Sequence, residues 1–288
     1  MVFRSYSVRV GEKVREAIQQ AVLSIHKRYF DPLTLNSLAS EVFVSPYHFS
    51  RVFSKTIGVT PGRYLSAIRL FEAKRLLLTT SLTVSDIVCS VGYNSVGTFT
   101  SRFTQEVGMS PTQYRRPDVR ELVLAVSPDF QRLPPVDLAR EAKKRNARNH
   151  PGGGSIEYTV ELPPWAGNAN VLVGVFADPI PQCAPVACQA WTGTGTARLL
   201  IEDVPVGHWV AIAVAEPVGG APGSGEVLIG DVRHPVAVTA GHVTRLGVQM
   251  RRLQPVDPPI AVTLASSAFP RQANDGVERY YERQQAAA

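Results

Sequence analysis

The segment SPYHFSRVFSKTIG (residues 45–58) holds the side chains of this chain best suited to reading a hydrogen-bonding ligand. Helical spacing puts Phe49, Val52 and Phe53 on one stripe and leaves Tyr47, His48, Ser50, Arg51, Ser54 and Lys55 facing away from it. Arg51 is the strongest group in that outward set, because a guanidinium can hold guanine O6 and N7 together. The alternative for Arg51 is a phosphate contact or an ion pair with an acidic neighbour such as Glu41. Other chemistries lack their residues. No G-x-S-x-G, H-E-x-x-H, Walker loop or paired-carboxylate signature occurs, so catalysis and a cofactor are not expected. His208, His234 and His242 have no partner at metal-ligand spacing, so no metal is expected. Cys89 sits mid-helix between Val88 and Ser90 and reads as a packed thiol. Cys183 and Cys188 flank APVA on one loop and read as buried thiols rather than a redox pair.

The elements that must carry these side chains come in two copies. LASEVFVSPYHFSRVFSKTIGVTPGRY (residues 38–64) is echoed by IVCSVGYNSVGTFTSRFTQEVGMSPTQYRR (residues 87–116). At an offset of 50, Ser45 meets Ser95, Phe49 meets Phe99, Phe53 meets Phe103, Gly58 meets Gly108, Pro61 meets Pro111 and Tyr64 meets Tyr114. Each copy spells helix, tight turn, helix, and a repeat this short needs its partner to bury a core. The copies follow a helix over 12–29, with Val14, Ile18, Val22 and Ile25 inward, that ends at Asp31-Pro32. Thr34 caps a helix over 35–42, and Ser45-Pro46 starts one that Gly58 stops. A long helix follows from Pro61 to Thr80 with Leu65, Ile68, Phe71 and Leu76 inward. Helices over 83–91 and 95–107 and a short turn at Ser110-Pro111 complete seven helices of an all-α domain.

Charge separates the two halves of the 288 residues. Residues 1–150 hold 22 Lys+Arg against 12 Asp+Glu, and residues 151–288 hold 8 against 12. A basic half beside a mildly acidic one fits a polyanion-binding module joined to a unit with another partner. No run approaches the roughly 20 apolar residues that span a bilayer, so no membrane partner is expected. The N-terminal MVFRSYSVRVGEK has no apolar core or small-residue cleavage site, so a cytoplasmic protein with reduced cysteines is expected.

The pattern SxYHFSRVFxxxxGxxPxxY, followed by VGYxSxxxFxxxFxxxxGxSPxxYRR, resembles the DNA-binding domain of AraC/XylS-type transcription regulators over residues 12–116. The resemblance implies two helix-turn-helix units joined by one long helix, each presenting its second helix to a major groove of double-stranded DNA, with RNA polymerase as a further partner. It places base-reading positions at Tyr47, Ser50 and Arg51; in the second unit, with Phe99 and Phe103 inward, Val96, Gly97, Thr100 and Ser101 are left to face the groove. The family usually carries an arginine where Ser101 stands. Arg102 is rotated about 100° around the helix, so it is expected on phosphate, and the second unit is expected to read little sequence. Phosphate contacts are also expected from the helix starts at Ser45 and Ser95 and from Lys55, Arg63, Arg69, Arg115 and Arg116. Phe43 departs from the small residue usual at its turn, where the second copy keeps Gly92 in a turn one residue longer.

Beyond the helices, residues 118–154 read as a connector, with prolines at 128, 134 and 135, the basic REAKKRNAR, a short helix over 137–148, and glycines 152–154 giving freedom to reorient. After residue 155 the period becomes two. Strands are expected at 155–162, 170–177, 197–204, 208–216, 225–232, 235–240, 243–250 and 260–265, with 189–196 a Gly/Thr-rich loop that exposes Trp191. The expected fold is therefore multidomain α plus β: a double helix-turn-helix domain over 1–117, the connector, an antiparallel β-sandwich over 155–268 and a tail over 269–288. LLIEDVPVGHWVAIAVAE (residues 199–216) and PVAVTAGHVTRLGVQM (residues 235–250) resemble carboxypeptidase regulatory-like or transthyretin-like sandwiches. That implies a unit for a small-molecule effector or for self-association. The rival reading is a ligand- or peptide-binding sandwich whose helical domain docks protein partners.

Overall fold

Six helix starts in the N-terminal part are capped by a hydroxyl, and in each the side-chain oxygen accepts a backbone N–H three residues on. Thr34 opens α2 (Leu35–Glu41), Ser45 opens α3 (Pro46–Ile57) and Thr60 opens α4 (Pro61–Thr79). Thr83 opens α5 (Val84–Ser90), Ser95 opens α6 (Val96–Val107) and Ser110 opens α7 (Pro111–Tyr114). These bonds satisfy donors that a helix start leaves free. The computed structural model describes residues 2–146, 152–219 and 227–264. Its first helix, α1 (Val2–Arg28), begins ten residues before the expected start at residue 12. Two compact units emerge, one of residues 1–99 with 254–259, the other of 100–253 with 260–288, and the division falls inside α6.

In the helical unit α4 is buried nearly all round, by Tyr64, Leu65, Ala67, Ile68, Leu70, Phe71, Ala73, Lys74, Leu77 and Leu78. A helix buried over most of its circumference belongs at a centre rather than on a surface. Leu76, expected inward, is only half-buried; Leu77 and Leu78 take that place. The helix-turn-helix turns differ. Gly92, after α5, sits at φ 78, and a Cβ there would lie 2.7 Å from the Phe30 carbonyl oxygen. Phe43, after α2, holds the same left-handed region at φ 57, a conformation that costs a residue with a Cβ about 1–2 kcal/mol.

The second unit contains three sheets. β3 (Gly154–Glu161) lies between β6 (Thr196–Val204) and β9 (Val243–Gln249). A five-stranded sheet runs β10 (Arg251–Arg252), β8 (Leu228–Val238), β7 (Gly207–Pro217), β4 (Ala169–Phe176), β5 (Ala187–Gly193). A third sheet sets β1 (Val123–Val126) between β11 (Ile260–Thr263) and β2 (Gln131–Arg132). β7 shows why its sequence hardly alternates. Ala211, Ala213 and Ala215 face a core shared with Ile156, Tyr158 and Val160 of β3 and with Leu199 and Ile201 of β6. Val210, Ile212 and Val214 face a second core with Leu124, Val126, Ile260 and Val262. A strand covered on both faces reads as one apolar run.

Several expectations are corrected here. The stretch read as a connector holds its expected short helix as α9 (Val136–Asn146), but it is also folded elsewhere: α8 (Pro117–Arg120), β1 and β2 occupy it, and all four residues of β1 are buried. Gly153 and Gly154 give no freedom, because their Cα atoms pack directly against the backbone of Val204 and Thr239. The sheet regions are not wholly antiparallel, since β3 pairs with β9 in parallel. The strands expected at 225–232 and 235–240 are the single β8, and the expected loop 189–196 is largely β5. Trp191 is half-buried against the core; Trp165 is the exposed tryptophan, at 54%, with the Arg252 guanidinium 4.6 Å from its ring centroid. The expected tail over 269–288, and residues 147–151 of the expected connector, lie outside the described residues.

Candidate nucleic-acid interface

The duplicated packing that the sequence spacing implies is present in both copies. Phe53 meets Tyr64 edge-on with ring centroids 5.6 Å apart, and Phe103 meets Tyr114 edge-on at 5.7 Å. α3 buries Phe49, Phe53 and Ile57, and α6 buries Phe99, Phe103 and Val107. Gly58 and Gly108 end the two helices at φ 90 and 83. The copies differ in one polar detail. The Tyr64 hydroxyl lies 3.0 Å from His26 Nε2, whereas the Tyr114 hydroxyl is buried with no hydrogen-bond partner among the described residues. Burial pushes the Tyr114 phenol well above its usual range, so it stays neutral.

With its aromatic stripe inward, α3 turns Tyr47, His48, Arg51 and Lys55 to solvent, with Ser50 and Ser54 half-buried at the edge. Tyr47 is 79% exposed. Val52, expected on the buried stripe, is half-buried. Glu41, the acidic neighbour considered for Arg51, is occupied: it accepts Arg28 Nη1 at 2.6 Å and Ser24 Oγ at 2.6 Å. Arg51 makes no hydrogen bond or ion pair among the described residues. On α6, Val96, Gly97, Ser101 and Arg102 are exposed and Thr100 is half-buried. A Cβ at Gly97 would meet only Ser95 Oγ, at 3.9 Å, so the start of α6 has room to spare.

The residues expected on phosphate fall into two groups. Ser45 and Ser95 are exposed caps, and Lys55, Arg63 and Arg102 are exposed on their helices. Arg115 is half-buried, and Arg116 is exposed with its guanidinium on Asp118, Nε to Oδ1 at 3.1 Å. Arg69 is corrected. Its Nε donates to the Tyr29 carbonyl and its Nη2 to the Asp31 carbonyl, both at 2.7 Å, and its guanidinium lies 5.7 Å from the Tyr93 ring centroid. The fork closes the loop after α1. Cys89, expected packed, is exposed on α5.

A family model described as a helix-turn-helix domain matches residues 38–117. The HTH-type transcriptional activator AarP of Providencia stuartii is 32% identical over 114 residues, which are 40% of this chain and 84% of AarP. The chain belongs to the AraC family of helix-turn-helix transcription regulators. Among other members, the lactose operon transcription activator of Staphylococcus xylosus is 36% identical over 110 residues, 38% of this chain and 39% of that protein. The bifunctional transcriptional activator/DNA repair enzyme AdaA of Bacillus subtilis is 35% identical over 92 residues, 32% of this chain and 44% of AdaA. The chain thus spans less than half the length of these two relatives. The solved C-terminal domain of AraT, a response regulator from Geobacillus stearothermophilus, shares 36% identity and covers 35% of this chain and 84% of that one at a TM-score of 0.34. No helix among the described residues is long and apolar enough to cross a membrane.

Proposed function

We propose that this chain is a sequence-specific, non-enzymatic transcription regulator that acts in the cytoplasm on double-stranded DNA through residues 1–117. The observation that carries the reading is Arg51: exposed, unpartnered among the described residues, and opposite a buried aromatic stripe on the second helix of a helix-turn-helix. In this reading α3 and α6 lie in successive major grooves. α4, at 19 residues, is about 28 Å long, against a groove repeat of about 34 Å, so a modest bend of the duplex completes the fit. Tyr47, Ser50 and Arg51 read bases from α3. Val96, Gly97, Thr100 and Ser101 line a less discriminating contact from α6. Ser45, Ser95, Lys55, Arg63, Arg102, Arg115 and Arg116 hold phosphates. RNA polymerase is the partner through which a bound regulator of this type acts.

Two sheets sharing one core support reading residues 155–268 as a β-sandwich of the carboxypeptidase regulatory-like or transthyretin-like kind, serving effector sensing or self-association. A cavity of about 160 Å³ favours the effector. It lies among Leu133, Pro135, Ala139, Leu172 and Ala190, with Asn170 and Glu216 as its polar groups. Its size is close to that of an engineered cavity of about 150 Å³ that takes up benzene. Selection of bound duplexes from a random pool tests the DNA reading. The expected outcome is one well-defined half-site, assigned to α3, beside a degenerate one. Recovery of no preferred sequence would overturn it.

A further inference from the structure

The turn of the first helix-turn-helix carries an aromatic ring that nothing in the fold uses. Phe43 is 95% exposed, and its backbone sits in the left-handed region at φ 57. Its own N–H reaches the Ser40 carbonyl at 3.2 Å, and the Val44 N–H reaches the Ala39 carbonyl at 3.1 Å. Main-chain bonds therefore close the turn, and the side chain contributes nothing to it. The matching turn of the second unit holds Gly92, the residue that such a backbone favours. Phe43 and Tyr47 are the two most exposed large apolar side chains among the described residues, and they lie on either side of Ser45, the cap of α3.

A helix-turn-helix sets the N-terminal part of its second helix in the major groove, which brings the residues just before the cap to the groove's edge. We infer that Phe43 is itself a DNA-contacting residue, packing its ring on deoxyribose C–H groups and a thymine methyl beside the bases read by α3. The inference rests on the DNA reading above and adds an apolar contact to a polar set. It also explains why the first turn tolerates a backbone conformation that the second assigns to glycine: the ring is retained for the ligand.

The test uses the full chain, a fluorescently labelled duplex selected from a random pool, and the variants Phe43→Gly, Phe43→Ala and Phe43→Trp. Phe43→Gly should unfold no earlier than wild type on heating yet bind the duplex about tenfold more weakly. Phe43→Ala should lose a similar factor, and Phe43→Trp should keep most of the affinity. An apolar contact releases no counterion, so the slope of log affinity against log salt should be the same for Phe43→Gly as for wild type. Affinity of Phe43→Gly within about twofold of wild type would overturn the inference while leaving the DNA reading standing. So would a loss of affinity matched by earlier unfolding. Unchanged DNA affinity with lost transcription activation would assign the ring to a protein partner instead. A wild type that selects no duplex would sink both readings.

Discussion

Arg51 and Arg69 look alike in the sequence, both in helical segments among small and apolar residues, yet Arg51 is exposed and unpartnered among the described residues while Arg69 is hydrogen-bonded within the fold. Arg69 holds two carbonyls of the loop after α1, so Arg69→Ala should lower stability by about 2 kcal/mol, read by denaturant unfolding. Arg69→Lys should not restore it, because an ammonium cannot span both oxygens as the planar fork does. Arg51→Ala should instead leave stability unchanged and relax base preference by about 1–3 kcal/mol at one position of the site. Arg116→Ala should weaken binding to all duplexes alike and lower the salt slope by about 1, since its surface pairing with Asp118 is a weak competitor for phosphate. Equal, sequence-blind losses from Arg51→Ala and Arg116→Ala would contradict the base-reading role. The tyrosine pair makes a cleaner contrast. Tyr64→Phe removes a hydroxyl that reaches His26 and should cost about 1 kcal/mol, whereas Tyr114→Phe removes a buried, unpartnered hydroxyl and should be neutral or stabilising.

At the scale of elements, the helices were legible because their boundaries are written in local chemistry. Thr34 and Ser45 cap as read, Thr60, Thr83, Ser95 and Ser110 cap in the same way, and Gly58 and Gly108 stop the two second helices. The strands that were missed have no such signals. β1 is four residues buried throughout, so it shows no alternation, and its neighbours in the sheet are β2 close by and β11 from the far end of the described chain. β5 runs into the Gly/Thr-rich stretch 192–196, and only its seven-residue register against β4 makes it a strand. The turn glycine gives a test at this scale. Gly92→Ala must place a Cβ against the Phe30 carbonyl in a left-handed backbone and should cost at least about 2 kcal/mol. Gly97→Ala, in open space on α6, should raise stability by up to about 1 kcal/mol.

For the molecule as a whole, the charge asymmetry is the property that a binding experiment reads directly. A basic N-terminal part that neutralises several phosphates should show log affinity falling with log salt at roughly 0.9 per phosphate contacted. A slope near zero would favour a helical domain that docks protein partners. The cavity beside α9 gives a second measurement: Ala190→Leu should fill it and abolish any thermal shift produced by a small ligand, without lowering the unfolding temperature of the free chain.

The sequence by itself determined the duplicated helix-turn-helix, because capping, helix stops and aromatic spacing act within a few residues of one another. It also located most of the strands, through alternation in some and apolar β-rich runs between turn residues in others. Only the tertiary structure decided that Arg69 reaches the carbonyls of the loop after α1, that β3 and β9 run in parallel, and that 123–132 is built into a sheet. Those outcomes depend on which distant carbonyl, edge or apolar face is free to pair, and long-range partners of that kind leave no local pattern.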